Sequence, residues 1–338
     1  MSTPESSNVS SAGGPQKTPL PTLPAALGEN RMVFRRQLKI LAGLAAVLVI
    51  CFIKPLYDLA GFSMDSQFFS YIPLMPVITA YLIWLRRAGL GAEVRPAWGA
   101  ALAAAIAGGA ILAAYGWVSH AGWRPFGEDY LAAMTLSFLL MLLAAGFASL
   151  GTTTMAAIAF PVSLLIFMVP YPEFALDGIE SFFQQTSAAT ACGMLHLAGT
   201  TVLKNGLELT LPAVPPDADH PLGGMSLRVA PECSGIHSSQ VLLITSLLAG
   251  NLFLRSSWRR AALALFIVPL AIARNGFRIF VISELCIHIG PQMIHSPIHH
   301  QGGPIFFALS LIPFFFVLVW LRKSESKAQN TVKTGEKN

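Results

Sequence analysis

The sequence predicts an all-α polytopic membrane protein with about eight transmembrane helices and a small extracytoplasmic β-hairpin element before the sixth. Three observations lead to this prediction. The chain is 54% hydrophobic and only 12% charged, with a mean hydropathy of +0.60, whereas soluble domains carry about 25% charged residues. Several apolar runs reach the length of about 20 residues that a span requires. Basic residues cluster at the ends of these runs, and charge inside hydrocarbon is costly.

The candidate spans are apolar segments separated by charged, Gly-rich or Pro-rich connections. The first is short and begins near a basic cluster, and only a Gly-Thr-Thr-Thr turn at 151–154 divides the fourth from the fifth. The eight spans are expected near 37–53, 67–85, 98–118, 130–149, 152–171, 235–254, 260–284 and 303–321.

The positions of the basic residues predict the orientation of the chain. With eight spans, the richest basic clusters all fall on one side, which the positive-inside rule makes cytoplasmic. Both termini then lie in the cytoplasm, and the long segment 172–234 lies outside. The clusters are Arg31, Arg35, Arg36 and Lys39; Arg86, Arg87 and Arg95; Arg255, Arg259 and Arg260; and Arg322, Lys323 and Lys327.

The chain divides into two tails and one membrane domain. Residues 1–28 and 324–338 are polar and read as disordered cytoplasmic tails, with the transmembrane domain over 29–323. Inside the outer segment, residues 174–199 have apolar positions at helical spacing. Asn205-Gly206 favours a tight turn between two strands, and MSLRVA (225–230) predicts a third strand that leads towards Cys233.

The composition also limits the partners. The net charge of +5 is spread over loops instead of forming a basic stripe, so the prediction is a lipid bilayer as surroundings and no nucleic-acid partner. The four cysteines have no CxxC spacing, so we predict neither a disulfide framework nor a structural metal site. No cofactor motif is present, and none is expected.

Cys233 is the first candidate for chemistry because it stands just before the sixth span, followed by Ser234 and Gly235. A cysteine at a helix N-terminus is stabilised as thiolate by the helix dipole and the unpaired N–H groups. Glu232 has two alternative roles: a local cap, or a negative charge that opposes this effect. A lone cysteine in a membrane protein is more often a small interfacial residue, so its neighbours decide the interpretation.

The seventh span carries two arginines on one helix face, Arg274 and Arg278, with Asn275 between them. An arginine near the centre of a membrane helix costs about 2.5–3.5 kcal/mol on insertion scales. Arg274 fits a structural role. Arg278 lies nearer the outer face and fits a functional one. The alternative for either arginine is snorkelling with pairing to Glu284 or to a backbone carbonyl.

Histidines supply the candidate base. His288, His295, His299 and His300 follow the seventh span, and four histidines can bind a transition metal, although the segment has no HExxH motif. A single general acid–base at the start of the eighth span fits better. His299 and His300 are adjacent, so only one is expected to act. His237, four residues after Cys233, would share its helix face and is a possible supporting base.

Three motifs resemble the exosortase/archaeosortase family of membrane-embedded cysteine proteases and transpeptidases. The first is a strand leading into Cys-Ser-Gly in RVAPECSGIHSS. The second is the Asn-x-x-Arg element Asn275 to Arg278. The third is a histidine followed by spaced Gly and Phe residues, here His299, Gly303 and Phe307.

The resemblance implies a transpeptidase-like function in protein sorting, associated in the family with exopolysaccharide. The substrates would be exported proteins anchored by a C-terminal sorting tail of the PEP-CTERM type, with a Pro-Glu-Pro-like motif, a transmembrane helix and a basic cluster. Cys233 would be the nucleophile, His299 the general acid–base and Arg278 the oxyanion stabiliser, forming a thioacyl-enzyme intermediate. The location would be the bacterial inner membrane, with the site facing the periplasm.

Two other functional classes compete with this interpretation. A transporter or flippase-like protein would bind an anionic substrate through Arg274 and Arg278, with the outer loop as a gate. A scaffold would use the same polar residues only to pair with one another. Replacement of Cys233 by alanine separates these classes, because an enzyme loses processing whereas a transporter retains flux.

Overall fold

The fold is a helical bundle with a small β-sheet at one end. The computed structural model describes residues 23–335 apart from 67, 88–89, 91–94, 123–126, 212–213, 215–223, 230–234 and 296–302. The helices are α1 Leu23–Cys51, α2 Ile53–Asp65, α3 Leu74–Arg86, α4 Trp98–His120, α5 Gly127–Ala157, α6 Ala159–Ser163, α7 Glu173–Leu197, α8 Ile236–Phe253, α9 Ser257–His288 and α10 Gly303–Gly335.

The number of helices able to cross a membrane is smaller than the sequence predicts. Among the described residues, five helices are long and apolar enough (α4, α5, α8, α9 and the first part of α10), and seven result if each of two bent pairs counts as one span. One pair is α1 with α2, bent by 74°; the other is residues 159–168 with α7, bent by 93°. The polytopic all-α class is therefore confirmed, but a count of eight is not.

Two predicted spans differ from the structure. The segment 67–85 contains only the 13-residue helix α3, preceded by turns. The segment 152–171 is not one helix: α5 continues to Ala157 across a kink, and α6 then passes into a 3-10 helix over Leu164–Met168. Hydrophobic composition alone cannot reveal such breaks, because every fragment remains apolar.

The kink in α5 lies at Gly151, where the backbone has φ +77° and ψ 175°. A Cβ atom at this position would overlap the backbone carbonyl of Arg95, so only glycine fits. The same junction is held by the Ala97 N–H, which donates to the Phe147 carbonyl at 3.0 Å. The Gly-Thr-Thr-Thr segment therefore begins with a non-helical residue that separates two helical stretches, as the sequence predicts, although the second stretch ends already at Ala157.

The sheet has three antiparallel strands in the order β1-β2-β3, namely Leu203–Asn205, Glu208–Leu211 and Met225–Arg228. Its inward positions, such as Leu209 and Leu211, are fully buried. They share a core with α7 and with the last third of α9, including Leu195, Ile282 and Cys286. We call this part of the molecule the sheet end.

Helix α9 is the central element because it packs against α7, α8 and α10. Its 32 residues make it about 48 Å long, whereas a hydrocarbon core is about 30 Å thick. Its first part packs with α8 and α10 around Leu242, Leu263 and Phe314, and its last part belongs to the core of the sheet end.

The terminal helices extend beyond their predicted limits. Helix α1 begins at Leu23 and α10 continues to Gly335, so helix occupies parts of the segments for which composition predicts disordered tails. Glu325 shows one reason for the extension of α10. Its carboxylate accepts the backbone N–H groups of Arg255 and Ser256 at 3.0 and 2.7 Å, which fixes α10 to the turn before α9.

Candidate active site

The site is built where the start of α8 meets the middle of α9. Gly235 precedes α8 in the left-handed conformation with φ +70°. A Cβ atom there would lie 2.9 Å from Arg274 Nη2 and 3.1 Å from Asn275 Oδ1. This position requires a positive φ and a close approach of the backbone to α9, and glycine accommodates both better than other residues do.

Arg274 fixes this contact by hydrogen bonds. Its Nη2 donates to the Gly235 carbonyl at 2.8 Å and to Ser239 Oγ at 3.2 Å. The residue is only 8% exposed. Its other terminal nitrogen, Nη1, is buried and has no hydrogen-bond partner among the described residues. The N–H groups of Nη1 are therefore unused donors in this part of the structure.

The four-residue segment Asn275 to Arg278 contacts two further helices. At Gly276, an added Cβ would come within 2.8 Å of Thr190 Cβ, so α7 and α9 are in close contact there. The Phe277 ring meets the Phe306 ring near the start of α10, with centroids 6.1 Å apart in an edge arrangement. Asn275 is 2% exposed, and Arg278 is partly buried.

Several of the predicted site residues lie outside the described part of the chain. Cys233 and Ser234 precede the described Gly235, and His299 and His300 precede the described Gly303. The structure therefore brings together Gly235, Arg274 and Asn275 in direct contact, with Arg278 one turn further along α9. The convergence of sulfur, guanidinium and imidazole itself remains a prediction.

His237 is described, whereas Cys233, with which it is expected to share a helix face, lies outside the described residues. Helix α8 begins at Ile236, after the left-handed Gly235. The exposed ring of His237 is fixed from a distant segment, because its Nδ1 lies 3.0 Å from the Phe68 carbonyl. A carbonyl only accepts, so Nδ1 carries the proton and the neutral ring keeps Nε2 as an acceptor.

A polar group that the sequence did not reveal lies one turn further into α8. The Tyr171 hydroxyl donates to Gln240 Oε1 at 2.8 Å, and the Tyr171 ring lies beside the Phe68 and Phe69 rings, with centroids 6.4 Å apart in each case. Burial, together with the nearby Tyr171, raises the pKa of Tyr71, so this phenol stays protonated at neutral pH. The group supports the start of α8 from the α2–α3 side.

Of the two partners in the alternative interpretation, a backbone carbonyl binds Arg274, whereas Glu284 has other partners. Its carboxylate accepts the Thr200 hydroxyl at 3.0 Å and lies 3.1 Å from His288 Nε2. His288 was predicted in a loop, but α9 continues through it. The i, i+4 spacing of Glu284 and His288 would have revealed the pair, had the helix been extended by one turn.

Comparison with known proteins identifies the family. A family model described as Transmembrane exosortase (Exosortase_EpsH) matches residues 63–316. No curated protein and no solved structure matches the chain. The fold and the site define a polytopic membrane protein with a polar centre between α8 and α9. The match covers well over half of the chain, including both of these helices, so the chain belongs to the transmembrane exosortase family.

Proposed function

We propose that this exosortase is a membrane cysteine protease or transpeptidase that cleaves C-terminal sorting tails through a thioacyl-enzyme intermediate. One observation carries the proposal: the residue two positions after Cys233 contacts the segment that contains Arg278. Gly235 is hydrogen-bonded to Arg274 and packs on Asn275. Exosortases are generally peptidases and transpeptidases, which agrees with a thiol at this position.

Covalent geometry limits the distance of the thiol from this centre. Consecutive Cα atoms are about 3.8 Å apart, so the Cα of Cys233 lies within about 7.6 Å of the Gly235 Cα in any conformation. Since α8 begins at Ile236, Cys233 also stands just before a helix N-terminus. The positive end of the helix dipole and the neighbouring guanidinium groups both favour the thiolate.

The proposed reaction proceeds in two steps. The Cys233 thiolate attacks the scissile carbonyl carbon, and the electron pair that moves to oxygen is stabilised by Arg278, which stays protonated throughout. When the C–N bond breaks, His299 gives its proton to the leaving amine, which releases the transmembrane tail. Water or an amine then attacks the thioester, which frees the thiol and leaves the protein with a new C-terminus.

Other residues support these three. Arg274 and Asn275 position the start of α8, since both contact Gly235. Arg274 Nη1, which has no partner among the described residues, is a second donor for the developing oxyanion. His237 carries its acceptor nitrogen on an exposed ring in the first turn of α8, so it is a candidate to take the thiol proton. Ser234 and His300 stay secondary candidates.

The proposed location is the bacterial inner membrane, with the α8–α9 turn and the C-terminal end of α10 in the cytoplasm. The basic clusters on that turn and in the second half of α10 support this orientation through the positive-inside rule. The sheet end and the start of α8 then face the periplasm. A substrate anchored in the same bilayer presents its scissile bond at a fixed depth, and this pre-orientation lowers the entropic cost of reaction.

Co-expression with an exported reporter tests the function. The reporter ends in a Pro-Glu-Pro motif, one apolar helix and a basic run, and the readout is its shortening together with the mass of any adduct on Cys233. We expect processing by the wild type and none by Cys233→Ala. Arg278→Gln should slow processing by about 10²–10³-fold, the usual effect of removing an oxyanion donor.

Two comparisons sharpen this test. His299→Gln should lose processing, whereas His300→Gln should keep it, and membrane abundance should stay equal in all variants. Undiminished processing by Cys233→Ala would overturn the proposed function. Retained transport of an anionic solute by Cys233→Ala, together with no cleavage by any form, would support the transporter alternative instead.

A further inference from the structure

A second polar site lies at the sheet end, away from the Arg274–Arg278 segment. It is an open cavity of about 560 Å³. Its walls are the turn 198–201, which joins α7 to β1, and Glu284, Ile287 and His288 on the last turns of α9. None of the four hydroxyl, carboxylate and imidazole groups there has a role in the reaction described above.

A carboxylate is the central group of this cavity. Glu284 Oε1 accepts the Thr200 hydroxyl at 3.0 Å, and Oε2 accepts from His288 Nε2 at 3.1 Å. The Glu284 side chain is 21% exposed and that of His288 is 73% exposed. The carboxylate is therefore held in one orientation with access to the cavity, while the imidazole lies at the solvent side.

This hydrogen-bond pattern sets the tautomer of the imidazole. Since an ionised carboxylate only accepts, Nε2 carries the proton, and Nδ1 of the neutral ring remains a proton acceptor. The carboxylate therefore fixes both the tautomer and the orientation of the histidine. The cavity thus combines a negative charge, which attracts a cation, with a base that can remove a proton and exchange it with solvent.

We propose that this cavity binds the primary ammonium group of the acceptor molecule that resolves the thioester. The inference rests on the proposed function, because it assigns the second substrate of that reaction. Glu284 holds the ammonium group by a charge-assisted hydrogen bond, and one of its protons passes through a bridging water to Nδ1 of His288, which generates the nucleophilic amine. Among the described lining residues, Glu284 and His288 are the only ionisable groups.

The step balances in atoms and charge. The amine nitrogen forms the C–N bond, the C–S bond breaks, and the electron pair returns to the sulfur of Cys233. Of the three ammonium protons, one stays on the new amide, one passes to His288 and then to solvent, and one returns to the thiolate. No oxidant or reductant takes part.

The location is compatible with delivery to the thioester. Glu284 follows Arg278 by six residues on the same helix, which corresponds to about 9 Å along the axis. The two side chains leave the helix about 120° apart around its axis, so the acceptor would lie between these two faces of α9. The acceptor would therefore enter from the sheet end, on the opposite side of the oxyanion from the membrane-anchored tail.

The test compares a cationic with a neutral nucleophile. Purified enzyme in detergent is given the tail substrate with ethanolamine, which is a cation at neutral pH, or with hydroxylamine, which is neutral. Mass spectrometry then counts hydrolysed, ethanolamine-capped and hydroxamate products. For Glu284→Gln we expect the ratio of ethanolamine-capped to hydrolysed product to fall about tenfold or more, since hydrogen bonds to charged groups contribute about 1.5–3 kcal/mol.

The controls separate this effect from general damage. Thioester formation and the hydroxamate ratio should stay unchanged in Glu284→Gln, and Glu208→Gln, which removes an equal charge from an exposed position of β2, should behave as the wild type. His288→Gln, at a largely exposed residue, should also lower the ethanolamine ratio, which keeps the test valid if Glu284→Gln folds poorly.

Two outcomes overturn the inference in different ways. An unchanged ethanolamine ratio in both variants, while the wild type cleaves the tail normally, refutes the acceptor site and leaves the proposed function intact. Failure of the wild type to form any thioester refutes the proposed function, and the acceptor site with it.

Discussion

Arg274 Nη2 donates a hydrogen bond of 2.8 Å to the carbonyl oxygen of Gly235, and so joins the middle of α9 to the residue that precedes α8. The Gly235 carbonyl also accepts the Ser239 N–H at 3.1 Å, the first regular bond of α8. One carbonyl therefore starts a helix and anchors it to its neighbour. Two residues that the family resemblance assigns to catalysis lie near the ends of this bond in the chain: Cys233 is two positions before Gly235, and Arg278 is four positions after Arg274.

Replacing Gly235 by alanine tests how closely the two helices must approach. The new Cβ would lie 2.9 Å from Arg274 Nη2 and 3.1 Å from the Asn275 side chain, in a left-handed conformation that costs about 1–2 kcal/mol for other residues. We expect Gly235→Ala to lower thermal stability in detergent and to lose tail processing.

Gly193→Ala is the matched control for that variant. Gly193 lies within α7, has open space around its Cβ position and no positive φ, so alanine should be neutral or slightly stabilising. Equal stability and activity of Gly235→Ala and Gly193→Ala would show that the contact between α8 and α9 is not a requirement of the site.

Arg274 and Arg278 should respond differently to conservative replacement. Arg274→Lys keeps the charge, but it cannot reproduce the planar group that bonds the Gly235 carbonyl and Ser239 together. Since buried polar groups would lose partners, we expect a loss of about 1–3 kcal/mol in the free energy of unfolding. Arg278→Lys should instead reduce processing with little change in stability.

Thermal unfolding and the processing rate, measured on the same preparations, distinguish the structural role of Arg274 from the catalytic role of Arg278. If Arg274→Lys proves as stable as the wild type while Arg278→Lys unfolds early, the assignment of structural and catalytic roles is reversed.

Part of this site follows from the sequence once the right relationship is considered. Helices α8 and α9 are joined by a short turn at 254–256, so they form an antiparallel pair in which residues equidistant from the turn face each other. Gly235 and Asn275 are equidistant from Arg255. The contact is therefore predictable from the lengths of two apolar segments.

Other features could not be predicted from local patterns. The bond between His237 and the Phe68 carbonyl joins segments far apart in the chain, and no periodicity encodes such a pair. The break of the fifth candidate span at 158–168 leaves composition unchanged, because the fragments on both sides of it are apolar. The Glu284–His288 pair was missed for a simpler reason, namely that the predicted helix ended at residue 284.

A second substitution that restores stability would test the contact between α7 and α9. Gly276→Ala would place its Cβ 2.8 Å from Thr190 Cβ and 3.3 Å from the Ser187 carbonyl, so we expect lower stability, typically by about 1–3 kcal/mol for an overpacked interface. Adding Thr190→Gly removes the obstructing Cβ and should restore part of the loss.

Unfolding temperatures of the two single variants and the double variant give the coupling between these positions. Independent, additive effects would contradict a direct contact, because touching residues show interaction energies of about 0.5–3 kcal/mol.

Glu325 should act on stability without affecting the chemistry. Its carboxylate accepts the N–H groups of Arg255 and Ser256 and lies 3.8 Å from Arg259 Nη1, so it caps the start of α9 from another helix. Glu325→Ala leaves these donors without that acceptor and should cost about 0.5–2 kcal/mol, as for other helix caps.

The exposed Lys323 on the same helix provides the control, since Lys323→Ala should leave the unfolding temperature unchanged. Processing per folded molecule should be normal in both variants. A specific loss of turnover in Glu325→Ala at full stability would show that this end of the bundle is coupled to the site.

His237 offers the most direct test of how the thiol is activated. Its Nδ1–H is held by the Phe68 carbonyl, which leaves Nε2 as the acceptor on an exposed ring. If this nitrogen takes the proton of Cys233, His237→Gln should slow alkylation of Cys233 by iodoacetamide at neutral pH by about tenfold or more. The difference should shrink at high pH, where hydroxide removes the proton.

Glutamine retains a donor for the Phe68 carbonyl, so the fold of His237→Gln should persist. Peptide-resolved mass spectrometry reports Cys233 separately from Cys51, Cys192 and Cys286, and His120→Gln, at an exposed position at the end of α4, serves as the control. An unchanged alkylation rate in His237→Gln, with processing intact, would leave the acid–base role to the histidines that precede α10.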